Sequence, residues 1–111
     1  MVATLNALEA AELIATSSVD VVDVRDFDEW QAGHLPAARV VPLDVLRADT
    51  DRELHGTKAA VLFVCARGVR SLNAAKMAER LGYETVYNLE GGTSGWAQAG
   101  LPLVAEQRVA A

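Results

Sequence analysis

Cysteine is almost missing from this 111-residue chain, with Cys65 the only one. A lone thiol excludes an intrachain disulfide, a paired-cysteine redox motif and a cysteine-built zinc site. Histidine is nearly as scarce, and His34 and His55 are too scattered to suggest a metal centre. Positive charge is in deficit too: ten Lys and Arg face fifteen Asp and Glu, leaving a net charge of -5. That balance argues against broad attraction to nucleic acid or to an anionic membrane surface, so any anion must be held locally. Aromatic residues make up only 5% of the chain, so its core must be built from Val, Leu, Ala and Ile. No long apolar run exists: the longest, Ala59 to Ala66, is far too short to span a bilayer. Met1 to Leu13 carry Glu9 and Glu12 but no Lys or Arg, unlike the basic start of a secretory signal, and the expected setting is cytoplasmic.

What is present suits one domain over 1–111, with its core at about 5–104, which folds without metal, disulfide or cofactor. The runs from Val19 to Val24 and from Ala60 to Val64 are short and rich in β-branched residues, as expected for buried strands of a parallel sheet. Val40-Val41 and Thr85-Val86-Tyr87 are two further short strand candidates. Helices are expected at Ala7–Thr16, Asp26–Gln31, Leu43–Ala48, Ser71–Leu81 and Thr93–Ala99. In the fourth of these, Leu72, Ala75, Met77, Ala78 and Leu81 supply an apolar face, and Gly82 ends it. Strand and helix alternate, which predicts an α/β fold. Gly91-Gly92 and Gly100-Leu101-Pro102 mark turns, and Glu106 to Ala111 reads as a loose tail.

The chemistry is concentrated in Val61-Leu62-Phe63-Val64-Cys65-Ala66-Arg67-Gly68-Val69-Arg70-Ser71, a strand that ends at the cysteine, a short loop and then a helix. That order puts Cys65 at the carboxyl end of a parallel strand, where open α/β sheets bind ligands. The helix start offers unpaired N–H groups and partial positive charge to an anion such as a thiolate. Gly68 permits the tight curve, and Arg67 and Arg70 place two positive charges near the sulfur. Cys65 is the expected nucleophile, activated by the loop itself without a general base.

The loop Cys65-Ala66-Arg67-Gly68-Val69-Arg70-Ser71 closely resembles the active-site loop of single-domain rhodaneses. Asp23-Val24-Arg25, Glu29-Trp30 and Gly33-His34-Leu35-Pro36-Ala37-Ala38 resemble that family's amino-terminal signature. Asn88-Leu89-Glu90-Gly91-Gly92-Thr93-Ser94-Gly95-Trp96 and Gly100-Leu101-Pro102 resemble its carboxyl-terminal one. The resemblance covers about residues 5 to 104. It implies a five-stranded, mainly parallel sheet with helices on both faces, a catalytic Cys65, and a substrate-binding cradle of Ala66, Arg67, Gly68, Val69 and Arg70. It also implies a sulfurtransferase that moves a sulfane sulfur from a small anionic donor such as thiosulfate, through a Cys65 persulfide, to a thiol or cyanide. Thioredoxin or a sulfur-carrier protein are admissible acceptors. Ala37 departs from the family, where glycine is common, and the change is expected to alter a turn only.

Asp23 and Arg25 are read as a structural anchor, His34 as a turn residue rather than a base, and Trp30 and Trp96 as packing residues. Arg70 is favoured as an anion ligand, with Arg67 balanced between that role and a solvated surface charge. Two rival functions stand beside sulfur transfer. A phosphatase or arsenate reductase is the first, yet phosphatases that share this fold place five residues between cysteine and arginine, whereas only Ala66, Arg67, Gly68 and Val69 separate Cys65 from Arg70. A non-catalytic binding module would have no need of Cys65 and an intact loop.

Overall fold

The computed structural model describes residues 1–55 and 59–106. Five strands, β1 (Ala3–Leu5), β2 (Val19–Asp23), β3 (Arg39–Val40), β4 (Ala60–Val64) and β5 (Val86–Leu89), form one sheet in the order β1-β5-β4-β2-β3. All four neighbouring pairs run parallel. Between the strands lie α1 (Ala7–Thr16), α2 (Phe27–Ala32), α3 (Leu43–Ala48), α4 (Thr50–Leu54) and α5 (Val69–Arg80), and α6 (Gly92–Gln98) follows β5. This is the α/β fold expected from the alternation of the two periodicities.

The central strand β4 explains both faces. Successive side chains of a strand point to opposite sides. Val61 and Phe63, with Cys65 just beyond the strand, join Val22, Leu46, Leu54, Ala74, Ala75 and Ala78 in one buried cluster. Leu62 and Val64 enter a second with Ala7, Ala10, Leu35, Leu89 and Trp96. Helices α3, α4 and α5 therefore cover one face, and α1 and α6 the other. A strand buried on both sides has no polar face, which is why β4 reads Ala-Val-Leu-Phe-Val without interruption. Burying Phe63 alone contributes about 1.5–3 kcal/mol.

Helix α5 begins two residues earlier than the sequence suggested, because Gly68 caps it with a left-handed backbone, φ 97°. Ser71 thus falls in the first turn and is fully buried. Ala74, Ala75 and Ala78 let the helix lie close on the sheet. Leu81, expected on the apolar face, is instead 52% exposed as the helix C-cap. Gly82 follows at φ 94° and stops the helix as predicted.

Strand β1 and helix α4 were not expected. The former is a three-residue edge paired to β5, from Ala3 opposite Tyr87 to Leu5 opposite Leu89. The latter is capped by Asp49, whose carboxylate accepts from Arg52 N. The tail also differs at its start. Val104 pairs with His34 in an antiparallel bridge, and Glu106 N donates to the Gln31 carbonyl at 2.9 Å. Glu106 Oε1 also meets His34 Nε2 at 3.0 Å, so Glu106 is tied down rather than loose. Residues 107–111 of the expected tail lie outside the described residues. Among the described residues no helix is long and apolar enough to cross a membrane.

Candidate active site

Strand β4 delivers Cys65 to the carboxyl edge of the sheet, between β2 and β5. Two backbone features then fold the loop back over the sulfur. Gly68 takes its left-handed turn so close to β5 that a Cβ there would sit 3.2 Å from the Leu89 carbonyl oxygen. On the other side, the first N–H groups of α6 grip the loop: Thr93 N donates to Cys65 O at 2.9 Å and Ser94 N to Ala66 O at 3.1 Å. That grip requires Gly92, at φ 57°, because a Cβ at this position would overlap the Cys65 and Ala66 backbone. From sequence, turn geometry is the first expectation for the Gly91-Gly92 pair and lining of the site the second. For Gly92, contact with the Cys65 loop is as strict a requirement as the turn.

The Cys65 side chain is buried, at 1% exposure. Gly68 N donates to its Sγ at 3.1 Å and Ser71 N at 3.4 Å. The Ser71 hydroxyl oxygen lies 3.2 Å from the sulfur. Burial pushes the thiol pKa up, but the Ser71 hydroxyl and the N–H groups of Ser71, Arg67 and Gly68 pull it down further, and the net displacement is downward. The thiolate, which is the nucleophilic form, is favoured by hydrogen bonds from the loop and the start of α5.

Of the predicted cradle, Arg67 and Gly68 act on the sulfur through their N–H groups, and Ala66 offers its carbonyl to α6. Val69 faces solvent at 70% exposure. The Arg70 guanidinium is bound at both ends by Glu29 of α2, at 2.9 and 3.1 Å. It holds the Glu29 carboxyl down to about 2, against burial that pushes it up. Arg70 therefore stands at the rim with a carboxylate partner, and its charge still acts on Cys65. Arg67 is exposed and makes no ion pair among the described residues.

Two residues of this site went unremarked in the sequence as chemical groups. Ser71, fully buried, donates its hydroxyl proton to Asn88 Oδ1 at 2.5 Å. Asn88, 5% exposed on β5, donates through Nδ2 to Gly68 O at 3.2 Å. Serine at a helix start and asparagine inside a strand are both unremarkable alone, and only β5 beside β4 brings them together.

Asp23 and Arg25 form the expected anchor. Asp23 is wholly buried and receives Arg25 Nε at 3.0 Å and Nη2 at 2.8 Å, and Nη2 also bonds the Gly33 carbonyl at 2.7 Å. His34 is buried against Trp30, ring centroids 4.1 Å apart, with Nδ1 2.8 Å from the Leu35 carbonyl oxygen just before the turn at Pro36 and Ala37. Among the described residues no group of His, Cys, Asp and Glu could hold a metal ion.

A family model described as "Rhodanese-like domain" matches residues 6–99. A protein named thiosulfate sulfurtransferase GlpE, from Shewanella oneidensis, is 32% identical over 100 residues, spanning 86% of this chain and 92% of that one. Among solved structures, a rhodanese-related protein from Thermoplasma volcanium aligns with a TM-score of 0.81 at 29% identity, covering 94% of this chain and 99% of the other. A Rhodopseudomonas palustris protein, described as of unknown function and a possible tyrosine phosphatase, aligns at 0.83 with 30% identity, over 93% and 85% of the two chains.

Proposed function

The chain belongs to the rhodanese-like domain family, and we propose that it is a sulfurtransferase in which the Cys65 sulfur carries the transferred atom as a persulfide. The observation that carries this reading is the sulfur's setting: a buried thiol that receives N–H donors from Gly68 and Ser71 at the start of a helix, with its acidity increased. Such a site is built to stabilise an anion the size of one sulfur atom.

In the first step the Cys65 thiolate attacks the outer sulfur of a donor such as thiosulfate. The donor's S–S bond breaks, sulfite leaves with the bonding pair, and Cys65 bears a persulfide anion. An acceptor then attacks the outer sulfur of the persulfide, with cyanide leaving as thiocyanate or a thiol leaving as its own persulfide, and the Cys65 thiolate returns. No proton need move on the enzyme, which suits a site with no adjacent base among the described residues. Each well-placed N–H contributes up to about 3–4 kcal/mol in comparable oxyanion sites, less here because sulfur is a weaker acceptor. Arg67 and Arg70 at the rim supply the positive field that draws in a small anionic donor, and a thiol, thioredoxin or a sulfur-carrier protein are the acceptor classes of this reading. The setting of this reading is cytoplasmic.

Intact-protein mass spectrometry after incubation with thiosulfate tests it. Native protein is expected to gain one sulfur, to lose it on adding cyanide, and Cys65→Ser to gain none. Absence of the adduct on native protein would sink the reading.

A further inference from the structure

Ser71 has one hydroxyl proton and two neighbours that want it. Asn88 Oδ1, at 2.5 Å, can only accept. Cys65 Sγ, at 3.2 Å, can give a proton as a thiol but only accept as a thiolate. The orientation of the Asn88 amide is fixed independently: its other end faces the Gly68 carbonyl, itself an acceptor, so Nδ2 must lie there and Oδ1 must face Ser71. In the thiol state all needs are met at once, with S–H donating to Ser71 Oγ and Ser71 O–H donating to Asn88. In the thiolate state they conflict. If the Ser71 proton stays on Asn88, a hydroxyl lone pair faces the anionic sulfur. If it turns to sulfur, Asn88 Oδ1 is left unbonded in a place only 5% exposed.

We propose that Asn88 is a positioning residue that controls Cys65 through Ser71: it holds the Ser71 hydroxyl proton while the sulfur is a thiol and yields it when the sulfur becomes a thiolate. Ser71 is thus a rotating donor that answers charge on sulfur, while the N–H groups of Gly68 and Ser71 are fixed ones. Asn88 acts against thiolate formation by competing for that proton. At the same time it steadies Gly68, whose N–H donates to the same sulfur. The charged groups at the site do not confuse the readout. Arg70 of α5, paired with Glu29, acts on the sulfur through its charge, Glu29 of α2 has a carboxyl held down to about 2, and α6 carries no ionisable side chain. Their charges are constant between pH 5 and pH 9.

The inference rests on Cys65 being the nucleophile, but its test does not require sulfur transfer, so the two can fail separately. The measurement is the rate of iodoacetamide alkylation of Cys65 against pH, in native protein, Asn88→Leu, Ser71→Ala and the double variant, with circular dichroism as the folding check. Asn88→Leu is expected to move the midpoint to lower pH and to raise the rate on the acid limb by up to about tenfold, as a bond to a charged group loses its competitor. Ser71→Ala alone is expected to move the midpoint upward, and adding Asn88→Leu to Ser71→Ala to give no downward shift, because the competition is gone and only the lost brace on Gly68 remains to act. An upward shift in Asn88→Leu, or an equal shift with and without Ser71, would show that Asn88 merely braces the loop and overturn the proposal. Should Asn88→Leu not fold, Asn88→Ala carries the same comparison, and a Ser71→Ala midpoint unmoved or shifted downward would overturn it without either.

Discussion

Replacing Gly92 with alanine separates two costs that are usually confounded. The backbone at Gly92 is left-handed, φ 57°, and so is that at Gly82, φ 94°. For an L-residue that conformation costs about 1–2 kcal/mol at either site. They differ in what a Cβ would meet: nothing within 4 Å at Gly82, but the backbone of Cys65 and Ala66 at Gly92. A carbonyl in a hydrogen-bonded loop cannot swing aside as a side chain can, so the loop and the start of α6 must part. Overpacking of this kind costs about 1–3 kcal/mol. Losing the bond from Thr93 N to Cys65 O adds about 1 kcal/mol. Gly82→Ala should therefore lose about 1–2 kcal/mol and Gly92→Ala about 3–6 kcal/mol, measured as the change in urea unfolding free energy. Gly92→Ala should also slow alkylation of Cys65, because the loop that presents the N–H groups has moved. If the two variants agree to within about 0.5 kcal/mol, the contact between α6 and the loop does not hold the site together and the reasoning is wrong.

Arg25→Ala should cost about 3–5 kcal/mol in the same assay, because it strands the fully buried Asp23 carboxylate without its ion partner; a loss under 1 kcal/mol would show that the pair is no anchor. Glu29 has a folded pKa of about 2 against an ordinary 4.5, so its contribution to stability is full above pH 4.5 and is lost as pH falls toward 2. With both partners more than a third exposed, that contribution is at most about 1 kcal/mol. Glu29→Gln should abolish that part of the acid titration of stability, and an unchanged titration in the variant would contradict it. Asn6→Ala removes the capping box at α1, where Asn6 Oδ1 accepts from Glu9 N at 2.9 Å, and should cost about 0.5–2 kcal/mol of thermal stability.

The sequence exposed those parts of the fold whose side chains repeat. Strand β4 and helices α1 and α3 were bounded correctly from pattern alone. Strand β1 escaped because three residues at a sheet edge show neither alternation nor a run, and α4 because Thr-Asp-Arg-Glu-Leu holds one apolar residue. Strand β5 was placed too early because Asn88, a residue that strands disfavour, sits inside it. The same cause hid the chemistry: parallel pairing sets Asn88 beside Phe63, two residues before Cys65, and no spacing along the chain records that neighbourhood. The Arg70–Glu29 pair was equally invisible, since it joins residues 41 apart. Cys65 and Gly68, by contrast, declared themselves through local order: strand, cysteine, glycine, helix.

The strand order β1-β5-β4-β2-β3 sets the edges of the sheet, a three-residue strand on one side and a two-residue strand on the other, as far as possible from the one that bears the thiol. Amide hydrogens on β1 and β3 can exchange with solvent by fraying, while those of β4 are covered by strands on both flanks and by helices above and below. Among the described strands, the one leading into the Cys65 loop is therefore expected to exchange most slowly. Sub-global opening is expected to reach the borders first, before the strand that carries the thiol.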